Sequence, residues 1–212
     1  MAYDLQEQEQ LEELKAWWKD YGRLVILGIT LAALVIAGFQ GWRYHRHSQS
    51  LAAVALYEQL EQAGRAGDRK KVSDIATEIA AKYASTPYAA FGALSAARMS
   101  FEGGDLPGAK ARLTWVMEHA RLDELRDVAR LRLAGVLLDE KHFEQALKLL
   151  EAKPGESMAS LYADLRGDIL LAQGKGADAR DAYQLALDRS EAGSPYRATL
   201  QLKLDSLGEP KR

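Results

Sequence analysis

No cysteine occurs among the 212 residues of this sequence. That absence excludes disulfides, thiolate zinc sites and a cysteine nucleophile together. It is compatible with an oxidising compartment, where stray thiols are a liability. An excess of one charge is also lacking. With 28 basic against 30 acidic residues the formal charge is −2, so no general attraction to nucleic acid is expected. β-Branched residues are sparse outside one early stretch, whereas alanine and leucine are abundant, which favours helices. The length allows one core of roughly 150 residues plus an appendage.

The early stretch is GRLVILGITLAALVIAGFQGWRYHRHS, residues 22–48. Between Arg23 and Arg43 it carries no charge, and only Thr30 and Gln40 are polar. As a helix those residues span about 28 Å at roughly 1.5 Å each, close to the hydrocarbon thickness of a bilayer. Trp17, Trp18 and Tyr21 precede the run, Trp42 and Tyr44 follow it, and Arg23 and Arg43 are placed to snorkel. A cleaved signal would need a basic start, a shorter apolar run and a small-x-small processing site. Here the preceding segment is long and acidic and the run ends in FQGWRYHRH. An uncleaved signal anchor contacting membrane lipid fits better.

Three basic residues (Lys15, Lys19 and Arg23) precede the span, and two (Arg43 and Arg46) follow it at close range. This bias leans toward a cytoplasmic N-terminus. The expected organisation is a cytoplasmic acidic tail and amphipathic helix over 1–22, a transmembrane signal anchor over 23–43 and a repeat domain over 44–212. Within the first segment, EQLEELKAWWKDYG has helical spacing. Residues 1–13 read either as disordered or as an acidic partner-binding tail.

After Ser48 the chain shows helical periodicity broken by short turns, and small residues recur in pairs twelve apart. Ala97 pairs with Ala109, Ala134 with Ala146, and Gly167 with Ala179, each second member followed four later by Leu113, Leu150 or Tyr183. The first members lie 37 and 33 residues apart. Small residues twelve apart across a turn let two antiparallel helices cross closely, the signature of tetratricopeptide-like helix pairs. A degenerate fourth pair over SLAAVALYEQLEQAG and VSDIATEIAAKY opens the array, and SPYRATLQLKLDSL closes it as a solvating helix. The expected fold is therefore all-α, an N-terminal transmembrane helix followed by a tetratricopeptide-like helical-repeat solenoid.

Catalytic chemistry has no foothold in the motifs. His45 and His47, two apart, do not share a helix face, and GKG at 174–176 is too short for a phosphate loop. Asp164 and Asp168 are i, i+4 neighbours with no base, nucleophile or metal cluster nearby, which reads as surface charge or a ligand contact. The chain reads as a non-enzyme with no cofactor, metal or small-molecule substrate. Repeat arrays bind segments of other proteins in the groove lined by the first helix of each pair. Counting from the small anchors, the groove positions are Phe91, Leu94, Arg98 and Phe101, then Val128, Leu131 and Leu138, then Leu161, Asp164, Asp168 and Leu171.

The acidic start with LKAWWKDYGR, the exit GWRYHRHSQS and the segment YADLRGDILLAQGKGADARDAY resemble the ancillary SecYEG translocon subunit family over nearly the whole chain. The resemblance implies an inner-membrane protein, its N-terminus cytoplasmic and its tetratricopeptide-like domain periplasmic. It also implies association with SecYEG and with a membrane-anchored periplasmic chaperone of the prolyl-isomerase type, in the service of newly translocated proteins. No catalytic residues follow from it, and only the Asp164–Asp168 block transfers, as a contact surface. Two other readings of the residues remain: a membrane-tethered regulator whose cytoplasmic tail sequesters a signalling protein, and a scaffold of another envelope complex.

Overall fold

The structure, a computed structural model, describes residues 2–208, with side chains described from Leu11 onward. The expected tail over 1–13 therefore lies largely outside the described side chains, although the backbone is helical from Ala2. Among the described residues there are nine helices and no strand. They are α1 (Ala2–Arg65), α2 (Arg69–Lys82), α3 (Pro87–Glu102), α4 (Leu106–His119), α5 (Asp123–Asp139), α6 (Phe143–Leu149), α7 (Glu156–Ala172), α8 (Gly176–Arg189) and α9 (Tyr196–Ser206). The chain divides into two compact units, one ending at Gln49 and the other beginning at Ser50.

In the first unit, the apolar run is a single uninterrupted stretch of α1 and is the one helix long and apolar enough to cross a membrane among the described residues. Its large apolar side chains from Ile26 to Phe39 are all exposed, as is Leu24, and Val25 is half-buried. A helix that is apolar on every side and buries none of them has no core to serve, which is the pattern of a bilayer-facing segment. Aromatic residues gather at both of its ends. Trp17 lies 5.9 Å from Tyr21 between ring centroids, and the Arg46 guanidinium sits 4.7 Å over the Trp42 ring. The amphipathic segment expected before the span runs into it without a break.

The second unit is a stack of antiparallel helix pairs: the end of α1, whose Leu60 and Ala63 share a core cluster with Val72, Ile75 and Ile79 of α2, then α3 with α4, α5 with α6, and α7 with α8, closed by α9. One turn design joins the two helices of every pair. Gly67, Gly104, Lys141 and Gly174 all have positive φ, at 72°, 81°, 60° and 77°. The next residue's N–H reaches back five residues in each case: Asp68 to Ala63, Asp105 to Ser100, His142 to Leu137 and Lys175 to Leu170, all at 2.8–3.0 Å. This is the Schellman closure, which satisfies carbonyls left open at a helix end and favours glycine at its left-handed position. The third turn departs from the rule with Lys141, so Lys141→Gly is expected to stabilise the unit by about 1 kcal/mol. A thermal scan of the full chain in detergent checks this.

The small anchors lie where the pairs cross. Ala109, Ala134, Ala146 and Ala179 are fully buried, and Ala97 is nearly so. The opening pair is degenerate for a definite reason: Leu60 and Val72 occupy the two anchor positions, both with no exposure. Bulkier groups fill the same crossing, so a search for small residues at that spacing passes over it. The third pair differs from expectation in another way. α2, α4 and α8 have 14 residues each, but α6 has 7 and ends before Leu150.

Candidate functional site

The first helices of the pairs build a concave cleft of about 470 Å³, whose walls include Arg98, Phe101, Arg132, Leu138 and Leu165. Arg98, Phe101 and Leu138 stand at positions expected from the repeat count. Phe101 is 39% exposed, which leaves part of its apolar ring open to solvent. Arg98 lies 3.6 Å from Glu102 on the same exposed helix face. Leu131 and Val128 are half-buried against the core beneath α5. Toward the opening pair, Phe91 joins an aromatic cluster, its ring centroid 6.2 Å from Tyr57 and 6.3 Å from Tyr88.

Other expected groove positions lie elsewhere. Leu94 is buried in the core because α3 packs between α2 and α4 and also meets α5. In the last pair Leu161 is half-buried and Leu171 exposed, and the two aspartates are engaged from within. The reading of Asp164 as surface charge is corrected here: it is 5% exposed and its carboxylate is fully partnered. Lys203 of α9 donates to both oxygens of Asp164, at 2.8 and 2.9 Å, and to both of Asp168, at 2.7 and 2.9 Å. The Tyr183 hydroxyl donates to Asp168 at 2.7 Å, and the Tyr196 hydroxyl donates to Asp164. The Lys203 ammonium also lies 5.3 Å over the Tyr183 ring. Beside this knot, the Arg197 guanidinium donates to the carbonyls of Leu187 and Ser190, closing the end of α8.

The knot sets the protonation of its members. Burial pushes the Tyr183 phenol well above its ordinary range, and its bond to Asp168 adds to this. Tyr196 is raised by burial and then by Asp164. Burial pulls Lys203 down, but its bonds to Asp164 and Asp168 outweigh that and the net shift is upward. The folded state thus retains protons that an unfolded chain releases from phenols near 10. The stability drawn from these groups is complete below about pH 10 and falls as pH rises above it. Circular dichroism melts from pH 8 to 11.5 should show a fall in Tm above pH 10 that is smaller in Tyr183→Phe.

Arg132 and Leu165, which also line the cleft, fall outside the repeat count because each sits one residue from an expected position, beside Leu131 and Asp164. Lys203 escapes a local reading for another reason. It lies 35 and 39 residues from the aspartates it binds, and its one sequence signal is a lone cation in the apolar rhythm of QLKLDSL.

A family model described as a tetratricopeptide repeat-like domain matches residues 15–209. The ancillary SecYEG translocon subunit of Neisseria gonorrhoeae is 31% identical over 210 residues, covering 98% of this chain and the whole of that protein. This chain belongs to the ancillary SecYEG translocon subunit family. Family members from Haemophilus influenzae, 29% identical over 98% of this chain and the whole of that protein, and from Escherichia coli strain K12, 28% identical over 95% and 96%, match it as well. No solved structure matches the chain significantly. The family is built on a protein-interaction fold and is non-enzymatic.

Proposed function

We propose that the chain is a single-pass inner-membrane adaptor of the SecYEG translocon. In this reading its N-terminus is cytoplasmic and its repeat unit periplasmic. It links the channel to a membrane-anchored chaperone of the prolyl-isomerase type and assists newly translocated proteins. The observation that carries the reading is the full-length match to proteins named as ancillary SecYEG translocon subunits. Two features of the chain support it: an apolar helix with aromatic and basic collars at Trp17, Trp18, Arg23, Trp42 and Arg43, and a concave cleft with exposed apolar side chains. Lipid contacts the anchor, and the cleft receives protein segments.

The deciding experiment is a pull-down of the full chain in mild detergent followed by mass spectrometry. SecY should co-purify; its absence would overturn the translocon assignment. Photo-crosslinkers at Phe101 and Leu138 test the cleft separately, and capture of neither a chaperone nor a nascent chain would remove it as the binding surface. Alkaline phosphatase fused after Leu207 should be active in cells, and an inactive fusion would reverse the topology.

A further inference from the structure

The short α6 leaves a second cleft, outside the concave groove. The left-handed turns of the first three pairs fall 37 residues apart, but Lys141 and Gly174 are separated by 33. The four missing residues come out of the third pair's second helix. Where α2, α4 and α8 continue for two more turns, the chain leaves α6 at Leu150 and crosses to α7 through a loop containing Lys153, Pro154 and Gly155. A cleft of about 330 Å³ lies there, lined by Leu150, Lys153, Tyr162, Arg166, Leu185 and Arg189 among others.

The loop that forms one wall is firmly held. Asp127, 6% exposed, accepts from the Gly155 N–H at 2.9 Å and from Arg130 at 2.8 Å. The Tyr162 hydroxyl donates to the Asp127 carbonyl at 3.0 Å, so floor and wall share one anchor. A pinned loop presents its side chains at little further ordering cost to an incoming ligand.

The rim is electrostatically one-sided. Lys153, Arg166 and Arg189 all line the cleft, against Glu156 alone. All three cations are exposed, and none makes a hydrogen bond or ion pair among the described residues. Like charges brought together at a concave surface raise the local potential and favour an anionic counterpart. The floor, by contrast, is apolar, and Leu185 is 48% exposed over it.

We propose that this cleft is a docking site for an acidic segment of a partner protein, one that sets an aliphatic side chain on Leu150 and Leu185 and carboxylates against Lys153, Arg166 and Arg189. The segment takes the place of the turns that α6 lacks. A bare anion would leave the apolar floor unused, whereas a peptide with alternating acidic and aliphatic residues engages both parts.

The test uses the full chain in phosphatidylcholine nanodiscs and a displayed library of random dodecapeptides. Selection on the wild type, with counter-selection on R166E/R189E, should enrich Asp and Glu next to Leu and Ile. A peptide from that pool should bind the wild type at least tenfold more tightly than R166E/R189E, with affinity unchanged in the concave-cleft variant R98E/R132E. Indistinguishable pools, equal binding to wild type and R166E/R189E, or a loss confined to R98E/R132E would each overturn the proposal. So would displacement of the peptide by millimolar inorganic phosphate or by phosphatidylglycerol vesicles, which would make the site one for phosphate or lipid. If charge reversal lowers the helical signal, R166Q/R189Q replaces it under the same criteria. The concave-groove crosslinks address a different surface, so either idea fails without the other.

Discussion

Replacing Lys203 with alanine should lower the stability of the repeat unit by about 2–3 kcal/mol. Removing one partner of a buried ion pair typically costs about 3–5 kcal/mol, because the remaining charge keeps its desolvation without compensation. Lys203 keeps 29% of its side chain exposed and Asp168 keeps 32%, which moderates the figure. Asp164 does not share that relief: its side chain is 7% exposed, and the variant leaves it beside a second carboxylate with no cation between them. For a chain of this size the loss corresponds to a fall in Tm of roughly 4–12 °C. The site of the damage is as informative as its size. Hydrogen exchange should accelerate first in α9 and in the facing half of α7, before the earlier pairs respond. Uniform acceleration across α2 to α6 would show that the knot does not act locally.

Gly167→Ala should cost about 2 kcal/mol, although alanine is the better helix former by up to about 1 kcal/mol. A Cβ at Gly167 would lie 2.4 and 2.5 Å from two ring carbons of Tyr183. That ring has no room to retreat, being 1% exposed and held at its hydroxyl by Asp168. Gly135→Ala supplies the contrast. A Cβ there meets nothing within 4 Å, so the same change should stabilise by about 0.5–1 kcal/mol. Urea unfolding of both variants in the same detergent measures the difference, and equal midpoints would contradict the crossing geometry at Gly167.

The contrast between these two glycines shows where the sequence was readable. Gly167 was legible because it belongs to a pattern: a small residue twelve before Ala179, with Tyr183 four further on, is a local signal of helices crossing. The same signal identified Ala97 with Ala109 and Ala134 with Ala146. It failed at Leu60 and Val72, where larger side chains occupy equivalent positions and only the turn at Gly67 marks the pair. The apolar span was legible for a comparable reason, since its length and collars lie within one continuous stretch. Contacts made by the closing helix were not. The helical character of SPYRATLQLKLDSL can be read from its spacing, but nothing local tells Lys203 that its partners are Asp164 and Asp168. The loss of two turns from α6 was present in the sequence as a 33-residue interval, yet an interval does not say which helix is shortened. Pro154 and the hold of Asp127 on Gly155 decide that, and the latter contact is between residues 28 apart.

Among the described residues there is no strand, and nearly all backbone hydrogen bonding is closed within helices or their turns. A partner therefore finds no open sheet edge to extend, and strand addition, which recognises main chain and tolerates many sequences, is unavailable to this unit. Whatever this surface recognises it must recognise through side chains. In the readings proposed above, its selectivity is then set residue by residue along the helices, and single substitutions at exposed positions such as Phe101 or Arg166 would redirect it without disturbing the scaffold beneath.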